Sequence, residues 1–452
     1  MNLDRSLGPR SFRRGVALLL AAAAFLMAVP VLTAGPLAYD DQALLHGSEG
    51  GALDRGLLSF FTDTYYYAYL PFYGLSYRLD GALFGGSPVG FHLANALWHA
   101  AAGYALFCVL GLLLADRVAA LLGALLFVLH PLHVESVAWI AGRKEVLSAF
   151  FLFLAWLFHL KREEGAAGAG VGALLCFVVA CFSKASAIVL PGFLLAAALL
   201  LPRYAGARRA AALRTLPLFL VAALAALVHL GVAADQGVVV ETASLPARLG
   251  SGLAAWGRYF VQAVLPFDLS IDYPEARVES LGAAWKGVVT LALAVAALFA
   301  LHRRAPVVSF GLAVFLIGLA PFNDVFPATT IFRADRYAYL SLAGAAAVAG
   351  GIVLRRRAAA LPLALLAAVY LVVSMASASR FESDETLWSR TIENRPRSAL
   401  AHINRGLDRR WRARAAAPPD PALLDEAIAD LREGRERAER AEHEAKALRG
   451  LV

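Results

Sequence analysis

Apolar residues run along this chain in blocks of about 15 to 25, with polar residues gathered in the joints between them. An α-helix needs ~20 such residues to cross a hydrocarbon layer. Eleven blocks stand out: 15–34, 91–114, 118–129, 146–160, 166–182, 185–201, 216–234, 281–301, 306–322, 337–354 and 358–378. The third is short and reads as continuing into the His130-Pro131 segment. The pattern predicts an all-α polytopic membrane protein of about eleven transmembrane helices over residues 1–380. A short extracytoplasmic helical tail follows over 381–452.

Composition agrees. Of 452 residues, 60% are hydrophobic and 17% charged, whereas a soluble domain carries roughly a quarter charged residues. The net charge of +8 would suit a nucleic-acid binder, but its placement points to a membrane. Cations precede the first block (Arg10, Arg13, Arg14) and fill the even-numbered joints: Arg117; Lys161 and Arg162; Arg203, Arg208, Arg209 and Arg214; Arg303 and Arg304; Arg355, Arg356 and Arg357. If all eleven blocks cross, these clusters share one side. The positive-inside rule then sets the N-terminus in the cytoplasm and the C-terminus outside. The first block has the basic head of a signal peptide, but its apolar stretch exceeds the usual ~7–15 residues. It reads as a retained anchor. Cys108, Cys176 and Cys181 lie within apolar blocks, so no disulfide framework or zinc cluster is on offer.

The opposite face carries the chemistry, in loops 36–90, 130–143, 183–184, 235–282 and 323–336. Tyr39-Asp40-Asp41 follows the first block, and carboxylates beside a bilayer are expensive and usually functional. Phe60, Phe61, Tyr65, Tyr66, Tyr67, Tyr69, Phe72, Tyr73 and Tyr77 form either an interfacial amphipathic helix or an aromatic wall for a sugar or peptide. In the 130–145 segment, His130, His133 and Glu135 either ligate a metal or cap a span and bond to neighbouring loops. Arg143 and Lys144 open the fourth block from the outer side, placed to meet a lipid phosphate or to snorkel. Lys184 interrupts two apolar blocks and needs a partner. Arg336 is a phosphate-clamp candidate that Asp335 would orient. Asp268 and Asp272 add carboxylates to the same face.

The run from His130 to Lys144, HPLHVESVAWIAGRK, closely resembles the signature segment of the transmembrane-and-TPR-containing O-mannosyltransferase-like proteins of the GT-C superfamily. Tyr39-Asp40-Asp41, the Gly90–Asn95 stretch with His99, Ser183-Lys184, Asp335-Arg336-Tyr337 and the Ser383–Trp388 stretch match in the same order. The resemblance implies an inverting glycosyltransferase using a polyprenyl-phosphate-linked sugar, with mannose as the leading candidate. Asp40 and Asp41 would be catalytic, one of them taking the proton from an acceptor hydroxyl. Arg143, Lys184, Arg336 and then Lys144 would hold the donor phosphate. His130, His133, Glu135, Asp335 and Tyr39 would support them or meet the acceptor. Some GT-C enzymes use a divalent metal (Mn or Mg), and Asp40, Asp41 and Glu135 are the carboxylates that would take one.

The tail departs from the family pattern. Residues 382–407 look like the start of a tetratricopeptide array, but a Pro418-Pro419-Asp420-Pro421 break and one charged helix follow. A solenoid needs about three repeats to bury its faces. The last helix reads as a solvated or partner-docking face. An extracytoplasmic protein hydroxyl is the expected acceptor. The same donor with a lipid or envelope-glycan acceptor is the alternative, and a non-catalytic scaffold or transporter is the third reading.

Overall fold

The computed structural model describes residues 7–47, 51–64, 68–236, 245–274, 284–322 and 333–449. Among them the regular elements are helices, and no strand forms. In chain order they are α1 (Arg10–Ala28), α2 (Asp41–His46), α3 (Ser59–Thr62), α4 (Pro71–Phe84), α5 (Pro88–Leu114), α6 (Arg117–Val128), α7 (Val134–Ala138), α8 (Arg143–Glu163), α9 (Ala169–Cys181) and α10 (Leu190–Leu200). Then come α11 (Arg208–Leu213), α12 (Leu216–Asp235), α13 (Leu245–Gln262), α14 (Trp285–Leu301), α15 (Pro306–Leu319), α16 (Leu342–Arg355) and α17 (Ala360–Ala378). The tail supplies α18 (Asp384–Asn394), α19 (Ala399–Ala415) and α20 (Pro421–Arg449).

Local chemistry explains several boundaries. Prolines open α4, α5 and α15, where the missing N–H would have no intrahelical partner. The joint between α5 and α6 is tight. Ala115 takes a left-handed φ of 51°, and the Asp116 side chain accepts from the amides of Val118 and Ala119 at 3.1 and 2.9 Å. That is an N-cap of the ordinary kind.

Every apolar block encloses a helix, but the expected eleven spans are not matched by eleven long ones. Four segments are long and apolar enough to cross a membrane: Arg10–Val31, Pro88–Leu114, Arg208–Asp235 and Arg357–Glu382. A fifth joins Arg117–Val128 to Pro131–Ala138 across a 50° bend. The other blocks give shorter helices, because 3₁₀ turns take their ends, as at Ala185–Val189 and Ala320–Phe322. In α8 charged residues occupy both ends.

The outer surface of these helices is apolar. Leu220, Leu224 and Leu227 of α12 and Leu361, Leu365, Val369 and Val372 of α17 are all more than half exposed. Water would penalise a surface of this kind and lipid accepts it, so the chain is an integral membrane protein. Small residues draw the inner helices together. A Cβ placed on Gly344 of α16 would sit 2.4 Å from the Gly311 carbonyl of α15, the close approach expected where packing replaces the hydrophobic drive. At one end of this bundle, the joints after α1 and α6 and before α16 meet the tail.

Candidate active site

Asp41 is the anchor of this end. It is 1% exposed. Its Oδ2 accepts from Leu37 N at 3.0 Å and its Oδ1 from Ala141 N at 2.8 Å. The side chain thereby ties the loop after α1 to the turn a hundred residues on. Burial, opposed by these two amide bonds, pushes the Asp41 carboxyl well above its ordinary value. Asp40, beside it, is half-buried and holds a left-handed φ of 68°. For a non-glycine residue that is a strained backbone, costing ~1–3 kcal/mol. Tyr39 stacks on Trp139 with centroids 5.3 Å apart, and the Trp139 indole donates to the Tyr39 carbonyl at 3.2 Å.

The aromatic loop is built inward. Tyr65, Tyr66 and Tyr67 lie outside the described residues. Tyr73 and Tyr77, on α4, are buried and donate to the carbonyls of Ala141 and Ile140 at 2.9 and 2.6 Å. They brace the turn that receives Asp41.

The four candidate cations meet different fates. Arg143 is fully buried: its Nε donates to Asn95 Oδ1 at 2.7 Å, Nη2 donates to the Phe91 carbonyl at 3.0 Å, and Nη1 pairs with Asp80. Its guanidinium sits 4.1 Å over the Tyr77 ring. Lys184 pairs with Glu145 and lies 5.2 Å from the centre of Phe322. Arg336 binds Glu135 twice, through Nη1 and through its own amide at 3.0 Å, and covers Trp139 at 5.5 Å. Lys144 is half-buried and has no hydrogen-bond or ion-pair partner among the described residues. The charges acting on it are those of Arg336, Lys184, Glu145 and Asp40. Three cations are thus offset by carboxylates and Lys144 is not.

Asp335 does not orient Arg336. It accepts from the Tyr273 hydroxyl at 2.5 Å and from Ser270 N at 3.2 Å, on the far side. Burial and the neighbouring Glu135 charge push its carboxyl up to about 7. The histidines face carbonyls. His130 Nδ1 accepts from Leu132 N at 3.2 Å while Nε2 donates to the Ala263 carbonyl at 3.1 Å, and His133 Nδ1 donates to the Phe127 carbonyl at 2.7 Å. Both brace the turn between α6 and α7.

A divalent metal does not fit these donors. Among the described residues no three His, Cys, Asp or Glu side chains gather around one point. The oxygens of Asp41 are committed to amides and those of Glu135 to Arg336.

One opening lies at the site and another within the apolar bundle. A small cavity borders Glu135, Ser270 and Asp335 and is walled by α18 through Leu387 and Thr391. A wholly apolar groove of about 280 Å³ runs between α10, α14 and α15, lined by Leu195, Leu199, Leu298 and Ile317 among others.

The partners that the sequence leaves unnamed as site residues are Asp80 and Asn95 for Arg143, Glu145 for Lys184, and Trp388 of the tail. The signal for Glu145 was present, since a lone carboxylate heading one helix and a lone lysine heading another need each other in a bilayer. The tail contact had no such signal.

No protein-family profile matches the chain. It is similar to Protein O-mannosyl-transferase Tmtc1 of Drosophila melanogaster, 33% identical over 161 residues, which cover 32% of this chain and 18% of that protein. Human Protein O-mannosyl-transferase TMTC4 is 37% identical over 125 residues, covering 24% of this chain and 17% of its own length. Human TMTC2 is 37% identical over 94 residues, covering 21% and 11%. The matched segments span less than a fifth of these relatives' own length. By sequence, then, this membrane protein is a relative of the TMTC protein O-mannosyl-transferases, alike over a fifth to a third of its own chain.

Proposed function

We propose that the chain is an inverting glycosyltransferase of GT-C type, moving a sugar from a polyprenyl-phosphate carrier to an extracytoplasmic protein hydroxyl. Mannose and a protein acceptor are the first candidates because the relatives are named protein O-mannosyl-transferases. The observation that supports the reading best is Lys144, which has no direct hydrogen-bond or ion-pair partner among the described residues and is set among Asp40, Glu145, Arg336 and Lys184. A phosphate needs a cation not already consumed by a direct ion pair, and the Lys144 ammonium supplies it. The apolar groove between α10 and α15 suits a prenyl chain.

In this reading Asp40 takes the proton of the acceptor hydroxyl as its oxygen attacks the anomeric carbon. The bond from that carbon to the phosphate oxygen breaks on the opposite side, and polyprenyl phosphate departs. General-base help contributes ~10²–10⁴ in rate. Lys144, with the Arg336 guanidinium, stabilises the charge growing on the leaving phosphate. Asp41 holds the loop and takes no part in the proton transfer. Residues 1–380 form the transferase part, with the site and the tail on the extracytoplasmic side. The tail is read as the first helices of a tetratricopeptide-like unit.

The test is reconstitution of the purified protein in liposomes with a panel of polyprenyl-phosphate sugars. The expected result is release of polyprenyl phosphate with one sugar, and a Lys144→Gln variant whose donor KM rises about tenfold or more. No turnover of any donor on any acceptor contradicts the reading.

A further inference from the structure

The tail does not hang free of the last span. Asp384, the first residue of α18, accepts the Ala38 amide on Oδ2 at 2.9 Å and the Trp388 indole N–H on Oδ1 at 3.1 Å. Trp388 is completely buried and sets its ring against Tyr39 edge-on, with centroids 5.3 Å apart. Tyr39 in turn stacks on Trp139, over which Arg336 lies. Two side chains of α18 therefore grip residues 38 and 39, immediately before the strained Asp40. A left-handed aspartate persists only where its surroundings over-determine it.

The grip is itself braced. Glu385 of α18 receives Arg409 and Arg412 from α19. Ser398 Oγ donates to Asp272 at 2.5 Å, and Arg395 pairs with Asp268 at 2.8 Å. The helix is held by the outer loops on one side and by the tail on the other.

We infer that Asp384 and Trp388 are positioning residues: through the Ala38 amide and the Tyr39 ring, α18 sets the backbone conformation in which Asp40 can meet an acceptor hydroxyl. This rests on the transferase reading for its chemical consequence, while its structural consequence is independent of turnover. The tail is then a working wall of the site, and catalysis depends on how α18 is seated.

The experiment compares wild type, Asp384→Asn, Trp388→Leu and Trp388→Phe, each as the full chain in lipid nanodiscs, by amide hydrogen exchange and by donor turnover. In Asp384→Asn and Trp388→Leu the segment 36–46 exchanges about tenfold faster, as a locally released loop does, while segment 146–160 within α8 keeps its wild-type rate. Trp388→Phe, which retains a ring for Tyr39, stays near wild type. In turnover, kcat falls roughly ten- to hundredfold with donor KM unchanged. Unchanged exchange over 36–46 overturns the inference. So does an equal rise in both segments, which marks a globally loosened protein, or a loss confined to donor KM. If wild type turns over no donor, the transferase reading fails, and the exchange pattern alone decides whether α18 fixes the loop.

Discussion

Asp40 and Asp41 are neighbours in sequence with opposite surroundings. Asp41 has given both oxygens to backbone amides, and Asp40 sits half-buried on a strained backbone within range of Lys144. An asparagine at 41 keeps one acceptor and turns an NH₂ toward an amide donor. Asp41→Asn is therefore expected to cost about 1–3 kcal/mol, read as a lower melting temperature in detergent. A second residue-scale prediction concerns Asp335, whose carboxyl lies near 7 against an ordinary 3.8. The folded protein keeps a proton there that the unfolded chain releases. Stability contributed by Asp335 accordingly falls as pH rises from about 4 to about 7 and is flat above. Melting curves across that range should slope less steeply in Asp335→Asn, and identical slopes would refute the assignment. The sequence made the acidic pair legible, with its position just past an apolar block. It could not say which member is structural, because that is decided by an amide at residue 141.

The first turn of α8 shows the same separation at the scale of an element. Arg143, Lys144 and Glu145 follow one another around a helix, so they face three directions. Arg143 turns into the bundle toward Asn95 and Asp80 and Glu145 toward Lys184, while Lys144 feels the charges of Arg336 and Asp40. Removing the buried cation leaves Asp80 and Asn95 unpaired, so Arg143→Gln should destabilise by about 3–5 kcal/mol. Lys144→Gln should stay within about 0.5 kcal/mol and act on donor KM instead. A thermal melt of the two variants distinguishes them, and similar losses would place Lys144 in the core. The family resemblance places Arg143 ahead of Lys144 as a phosphate ligand. Arg143 is bound on all sides by Asn95, Phe91 and Asp80, which leaves Lys144 as the proposed ligand.

For the whole molecule, the apolar blocks predicted where helices lie but not how far each one reaches. Block length counts residues in 3₁₀ turns and bends together with the helix, and four or five segments remain that cross by length and composition. One of them, Arg208–Asp235, has 28 residues, and at about 1.5 Å rise each it exceeds a ~30 Å hydrocarbon core. Its ends should face opposite sides. A cysteine placed beside Asp235 is expected to react with an impermeant thiol reagent in intact cells, and one beside Arg208 is not. The reverse pattern would invert the orientation and put the site in the cytoplasm. The tail's seat on the Tyr39 loop was invisible in sequence, because Trp388 meets Tyr39 across nearly the whole chain. The central claim, that Asp40 is the base of a sugar transfer at this end of the bundle, is tested most directly by one assay: transfer from polyprenyl-phosphate mannose to a serine- and threonine-bearing peptide by wild type, Asp40→Asn and Asp41→Asn in liposomes. The account predicts product from wild type, a loss of ~10²–10⁴ in Asp40→Asn, and a smaller loss of about tenfold in Asp41→Asn from the loosened loop. Equal rates for wild type and Asp40→Asn would contradict it.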